Sequence, residues 1–288
     1  MQIDYALILS AGLGTRMGEI GKKIPKVLWP IYAKTLLELQ ILYCKNHGVK
    51  KIFINTHFLH EEIEQFLMER DLLKDVTLLH EKTLLDSGGA IHNLAEQSEV
   101  NYKGHLLLVN GDQFLFFDNR FWQRAIERVR VCRAVLFGIT VNKNATYNET
   151  VVNENKLKDI KKNVEKKNDY ITYSGLGLLN LNGLRPVHGI SRFFETVANY
   201  KEETVEFVTP DNFEYWDFGT AEIYAENIFK LSITQERNTE MGKFLKTSGA
   251  FDFEEKLFLD KMSRSIDLEA TGRFFPQTLC GAGIIQKL

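Results

Sequence analysis

The chain has 288 residues, 44% apolar and 26% charged, with a formal net charge of −2. That balance describes an ordinary globule able to bury a large core, and it offers no general attraction to nucleic acid or an anionic membrane surface. Cys44, Cys132 and Cys280 are an odd, widely spaced set without a C-x-x-C pair, which argues against a disulfide framework or zinc site and suits a reducing cytoplasm.

In chain order, residues 1–4 show no export-signal pattern, and no apolar stretch anywhere approaches the ~18 residues of a membrane span. Residues 6–9 form an apolar run that reads as a buried strand and stops at Ser10-Ala11-Gly12-Leu13-Gly14-Thr15-Arg16. Glycines in such a loop allow positive φ and leave backbone N–H groups free to cradle an anion. Residues 35–47 carry a helical apolar stripe closed by Gly48, and 51–55 read as a second strand. Helical spacing at 59–67, a strand at 76–79, a helix at 90–95 and a strand at 105–109 follow. Strands alternating with helices predict parallel pairing through right-handed crossovers, hence a doubly wound, mostly parallel α/β sheet of Rossmann-like type. In such sheets ligands sit at the carboxyl ends of the strands. The loop 12–16 and the turn Asn110-Gly111-Asp112 both fall at such ends, which predicts one shared site.

Beyond Asp112 the pattern is more mixed. Residues 121–131 read as a helix and 134–141 as a strand; 150–152 and 156–160 read as a hairpin around Asn153-Glu154-Asn155. A long strand is predicted over 170–181, interrupted by Gly175 and Gly177. Amphipathic helices at 190–200 and 221–231 flank a short strand near 204–208. Phe114-Leu115-Phe116-Phe117 suits core or pocket wall, and the basic run 161–167 a solvated surface. After 231 the period-2 alternation fades, leaving a helical stretch at 253–262. The expected division is a catalytic domain over 1–230, with halves 1–112 and 113–230, and a C-terminal extension over 231–288.

Two well-known glycine loops do not fit. The dinucleotide fingerprint needs glycine at 17, where Met17 stands. The Walker loop fails because Gly21-Lys22 is followed by Lys23 and Arg16 replaces the first glycine. What remains, G-x-G-T-R-M followed by Pro25-Lys26, resembles the nucleotidyltransferases that make nucleotide sugars from an NTP and a sugar 1-phosphate. Further matches are Gly88-Gly89, Gly111-Asp112 and Trp216-Asp217-Phe218-Gly219-Thr220. The match spans about residues 3–230 and looks closest to mannose-1-phosphate guanylyltransferase-like enzymes and short cell-wall-sugar uridylyltransferases. The C-terminus shows no hexapeptide repeats of the kind carried by bifunctional acetyltransferase members.

The reaction this resemblance implies is attack of a sugar 1-phosphate oxygen on the α-phosphorus of the NTP. A phosphate monoester, with a second pKa near ~6, is already ionised and needs no side-chain base. The chemistry then reduces to neutralising charge and aligning two anions. Arg16 is expected on the β,γ-phosphates and Lys26 near the α-phosphate. Asp112 and Asp217 are expected to hold Mg2+, a hard cation served by carboxylate and phosphate oxygens. The resemblance assigns the nucleotide to Ser10, Ala11, Gly12, Leu13, Gly14, Thr15 and Arg16, with Ser87, Gly88, Gly89, Asn110 and Gly111. It assigns the sugar to Asp112, Tyr173, Ser174 and Gly175. Gly175 also suits a β-bulge. The family's Glu-Lys-Pro is lacking; Asp159-Ile160-Lys161-Lys162-Asn163 is the nearest match. His57-x-x-His60-Glu61 lacks a nearby third ligand and reads as surface, and His92 and His188 have no visible partner.

Two rivals follow from the same residues. One is a cytidylyltransferase for a phosphorylated alcohol such as phosphocholine, which would want an aromatic or acidic cage that Tyr173 alone does not make. The other is a non-catalytic nucleotide-sugar-sensing subunit on the same fold. Retention of Arg16, Lys26, Asp112 and Asp217 favours an active enzyme.

Overall fold

Alternation along β1 (Tyr5–Leu9) sets the architecture, because Ala6 and Ile8 face one hydrophobic cluster and Leu7 the other. A strand apolar on both faces must be covered on both, which is the doubly wound arrangement. The structure is a computed structural model that describes residues 2–97, 102–162, 168–232 and 238–251. The helix expected at 253–262 and Cys280 lie outside these residues, as does most of the basic run 161–167.

After β1 the chain forms a short helix α1 (Gly18–Gly21) and a small hairpin of β2 (Pro30–Ile31) and β3 (Lys34–Thr35). Helix α2 (Leu36–Asn46) starts at a capping box: the Thr35 hydroxyl accepts from Glu38 N (3.2 Å) and the Glu38 carboxylate accepts from Thr35 N (2.8 Å). β4 (Lys51–Thr56), α3 (His60–Glu69), β5 (Val76–His80), α4 (Asp86–His92) and β6 (His105–Asn110) complete the first half. β1 pairs in parallel with β4 and β6, and β4 with β5.

The second half supplies β7 (Gln113–Phe117), α5 (Asn119–Arg128), β8 (Ala134–Val141), β9 (Glu149–Asn153) and β10 (Lys156–Lys161). β11 (Tyr170–Asn180), α6 (Phe193–Thr196), β12 (Val205–Val208), β13 (Phe213–Asp217), α7 (Ala221–Ser232) and α8 (Glu240–Thr247) follow. The main sheet has nine strands in the order β5-β4-β1-β6-β11-β8-β12-β10-β9. β11 runs antiparallel to both β6 and β8, so the parallel half passes into a mixed half at β6. The expected hairpin is β9–β10, turned by Glu154 and Asn155 at φ 50° and 59°, the left-handed pair that suits a two-residue hairpin. No helix among the described residues is long and apolar enough to cross a membrane.

Two expectations need correction. α4 begins at Asp86 instead of 90, because two glycines that weaken helix propensity are held there by packing against residues 189–192. The helix expected over 190–200 shrinks to the four residues of α6, since Ser191 is tied to α4 through Ser191 N to Leu85 O (3.0 Å) and Gly89 N to Ser191 O (3.1 Å). The run 114–117 is core and pocket wall, as expected, and takes that place as a strand paired antiparallel with the unforeseen β13. After residue 230, α8 buries Met241, Phe244 and Leu245, and the Glu214 carboxylate accepts from Glu240 N (2.7 Å) and Met241 N (2.9 Å) at its first turn.

Candidate active site

The loop after β1 is anchored by side chains that close neighbouring strands. Ser10 N donates to Asn55 Oδ1 (2.8 Å) and the Ser10 hydroxyl to the Asn55 carbonyl oxygen (2.5 Å). Asn55 Nδ2 donates to Glu81 Oε1 (2.8 Å), and Glu81 Oε2 accepts from Leu85 N (2.9 Å) at the entry to α4. Burial raises the Glu81 pKa, its hydrogen-bond donors opposing the shift. Sequence reasoning did not single out Asn55 or Glu81; a polar residue closing an apolar strand at its carboxyl end was the available signal.

This network walls an open cleft of about 780 Å³, lined among others by Ala11, Gly12, Arg16, Lys26, Ser87, Asn110 and Asp112. Leu13, Gly14 and Thr15 lie between lining residues without lining it themselves. Gly14 sits at φ +64°, and a Cβ there would stand 2.8 Å from the Gly21 carbonyl oxygen, so its smallness serves the turn. Gly111 likewise serves the backbone: its N–H donates to Leu9 O (2.9 Å), with Val27 pressed against it.

A second hollow of about 270 Å³ shares Arg16, Asn110, Asp112 and Gln113 with the first and adds Tyr147, Thr150, Tyr173, Gly175 and Asp217. The two aspartates, 105 residues apart in the chain, therefore line the same space. The β7–β13 ribbon brings them together, since Asp217 pairs with Gln113 and Phe218 N donates to Asp112 O (2.8 Å). A Cβ on Gly219 would approach Asp217 Oδ1 at 2.8 Å and Asp112 Oδ2 at 3.4 Å, so both carboxylates border the small volume beside that glycine. Both residues are buried, at 7% and 9% exposure. Lys26 Nζ pairs with Asp112 Oδ2. Asp217 Oδ1 accepts from Gly219 N (2.7 Å) and its Oδ2 from the Tyr147 hydroxyl (2.5 Å). Burial first, then the bond to Asp217, raises the Tyr147 pKa, so the phenol stays protonated and is the donor. Sequence reasoning did not single out Tyr147 either.

Other expected site positions lie elsewhere. The Ser174 hydroxyl donates to the Phe137 carbonyl (2.7 Å), inside the sheet, so it lines neither hollow. Tyr173 lines the smaller hollow, and its ring stacks on that of Phe193. Its hydroxyl is buried without a partner among the described residues, 3.4 Å from where a Gly177 Cβ would stand. Gly175, at φ +84°, marks the bulge where the register of β11 against β8 shifts. A Cβ there would overlap Gln113 Oε1 and Asn110 Nδ2, which are themselves joined at 2.7 Å, so bulge and close approach coincide. His57 Nδ1 contacts the Glu81 carbonyl (2.7 Å) and His60 stacks on His80 at 4.0 Å; no cluster of three metal-type ligands exists among the described residues.

Gly88 and Gly89 are buried, and a Cβ would stand 2.6 Å from Ser191 O at the first and 2.5 Å from Gly189 O at the second. Their smallness lets α4 pack closely against residues 189–192. Gly88→Ala should therefore cost about 1–3 kcal/mol of stability, as overpacking against backbone does. Gly12→Ala, with nothing within 4 Å of the added carbon, should melt like the parent. Thermal unfolding of the two variants checks both; equal melting temperatures would remove the packing explanation.

The family model described as nucleotidyl transferase matches residues 5–177. The D-glycero-alpha-D-manno-heptose 1-phosphate guanylyltransferase of Campylobacter jejuni is 32% identical over 130 residues, 45% of this chain and 56% of that one. The enzyme of the same description from Aneurinibacillus thermoaerophilus is 28% identical over 115 residues, 40% and 49% of the two chains. The chain thus matches about half the length of these curated relatives. The crystal structure of HddC from Yersinia pseudotuberculosis complexed with GMP-PN superposes with a TM-score of 0.66 at 21% identity, over 79% of this chain and 99% of that one, a likeness of fold.

Proposed function

We propose that this chain, which belongs to the nucleotidyl transferase family, transfers a nucleotidyl group from an NTP to a sugar 1-phosphate and releases pyrophosphate. The observation that carries the reading is the junction of the two hollows, where Arg16, Asp112 and Asp217 border one volume. In this reading the larger hollow takes the NTP and the smaller one the acceptor. The acceptor phosphate arrives ionised, so the residues' work is to align it with the α-phosphorus and offset charge.

Asp112 and Asp217 offer hard oxygen donors without a third protein ligand among the described residues. That donor set fits Mg2+, which keeps water and substrate phosphates in its shell instead of an all-protein cage. Bound there, the cation would offset charge on the α-phosphate and orient it. Lys26, paired with Asp112, adds a compact positive charge on the same side. Arg16 reaches both hollows and supplies planar N–H donors to the departing pyrophosphate.

The names of the two relatives make GTP and a manno-configured 1-phosphate the first substrates to try. A pyrophosphate-release screen of GTP, UTP, CTP, dTTP and ATP against several sugar 1-phosphates and phosphocholine tests the proposal. Release should need one NTP, a sugar 1-phosphate and a divalent cation, and should stop with EDTA. Release with CTP and phosphocholine alone would make the protein a cytidylyltransferase. Nucleotide-sugar binding without turnover would make it a sensor.

A further inference from the structure

Asp217 is held from two sides. Gly219 N takes one lone pair of Oδ1 (2.7 Å) and the Tyr147 hydroxyl takes one of Oδ2 (2.5 Å), so the carboxylate cannot rotate without breaking a bond. The Tyr215 phenol neighbours that of Tyr147 and interacts with it electrostatically.

Tyr147 itself is not on a strand. It lies on the loop between β8 and β9, in the wall of the smaller hollow. The Tyr170 hydroxyl fastens that loop, lying 2.7 Å from the Ala145 carbonyl oxygen and 2.9 Å from that of Tyr147. A residue of the acceptor-side wall is therefore bonded directly to one of the two carboxylates. Groups that orient a ligating carboxylate raise the affinity of its site, because the orientation is already set before the cation arrives.

We propose that Tyr147 is a positioning residue that fixes the Asp217 carboxylate in the orientation a divalent cation requires, so that the acceptor-side loop and the cation site are set together. The proposal rests on the reading of Asp112 and Asp217 as the cation pair. Tyr147→Phe removes only the hydroxyl and leaves the ring in the wall. It should weaken binding of Mn2+ alone, followed by the electron paramagnetic resonance of the free ion, by about tenfold, the loss common for an orienting partner. Tyr215→Phe, which alters the phenol beside Tyr147 and not the bond to Asp217, should lose less, about two- to threefold, and stands in should Tyr147→Phe fail to fold. In turnover the Tyr147→Phe defect should appear in the metal requirement, with kcat restored at saturating cation. An Mn2+ affinity within twofold of the parent, or a kcat loss that persists at saturating cation, would overturn the proposal. Asp217→Asn serves as the reference. If it lost the ion while Tyr147→Phe did not, the tyrosine's role would fall and the carboxylate assignment stand. If it bound Mn2+ like the parent, the cation assignment would fall first, and this inference with it.

Discussion

Asp112→Asn and Asp217→Asn each reduce nucleotidyl transfer by about 10³-fold or more while the protein stays folded, if the two carboxylates share a cation. The amide keeps the size of the side chain but removes one negative charge from a site that must hold a doubly charged ion between two anionic substrates. Loss of that ion forfeits several kcal/mol of transition-state stabilisation. The fold should survive because both side chains border a hollow instead of filling the core. Asparagine at 217 can still accept from Gly219 N, and the Tyr147 hydroxyl can turn to accept from the new amide. At 112 the change strips Lys26 of its partner, so Asp112→Asn should be the less stable of the two. Pyrophosphate release across a titration of Mg2+, with a thermal melt of each variant, reads both quantities. Full metal-dependent turnover in either variant would take that residue out of the cation site.

The parallel half of the sheet was readable because its strands announce themselves. β1, β4 and β6 are short apolar runs, and helices with a clear stripe separate them. Their carboxyl ends, at Leu9, Asn55 and Asn110, line the larger hollow, where such a topology favours a ligand. The mixed half was less legible for a physical reason. β7 and β13 pair across about a hundred residues, and no local pattern says that Phe114 and Trp216 will face each other. α6 was overestimated because its stripe continues through residues whose backbone bonds go to α4 instead of to their own helix. Among the site positions expected from motif spacing, Arg16, Asp112 and Asp217 line the joined hollows. Gly88 and Gly89 abut backbone and Ser174 bonds to it, and a sequence shows that a residue is small or polar but not which way its Cβ or hydroxyl points. Tyr147 escaped for the opposite reason. Its partner lies on a distant strand, and a tyrosine in a polar loop looks ordinary until the fold closes on it.

Arg16→Ala should lower kcat by about 10²–10³-fold, the cost of deleting a preorganised donor aimed at developing charge. The residue is exposed and makes no ion pair among the described residues. Its melting temperature should therefore match the parent, which separates a catalytic loss from a structural one. Charge accumulates on the β,γ-phosphates as the bond to the α-phosphorus breaks, and a guanidinium that touches two of their oxygens gains most at that moment. Arg16→Lys keeps the charge without the fork and should fall between the parent and alanine. The division between kcat and KM locates the contact. A rise in KM alone would mean that Arg16 holds the triphosphate equally before and during reaction, whereas loss in kcat and kcat/KM together marks a bond made in the transition state. Lys23→Ala removes an exposed cation seven residues on and is the control for a general change in charge near the cleft. Were the two alanine variants to lose activity equally, Arg16 would be acting as one more surface charge, and the departing pyrophosphate would have to be met by another group.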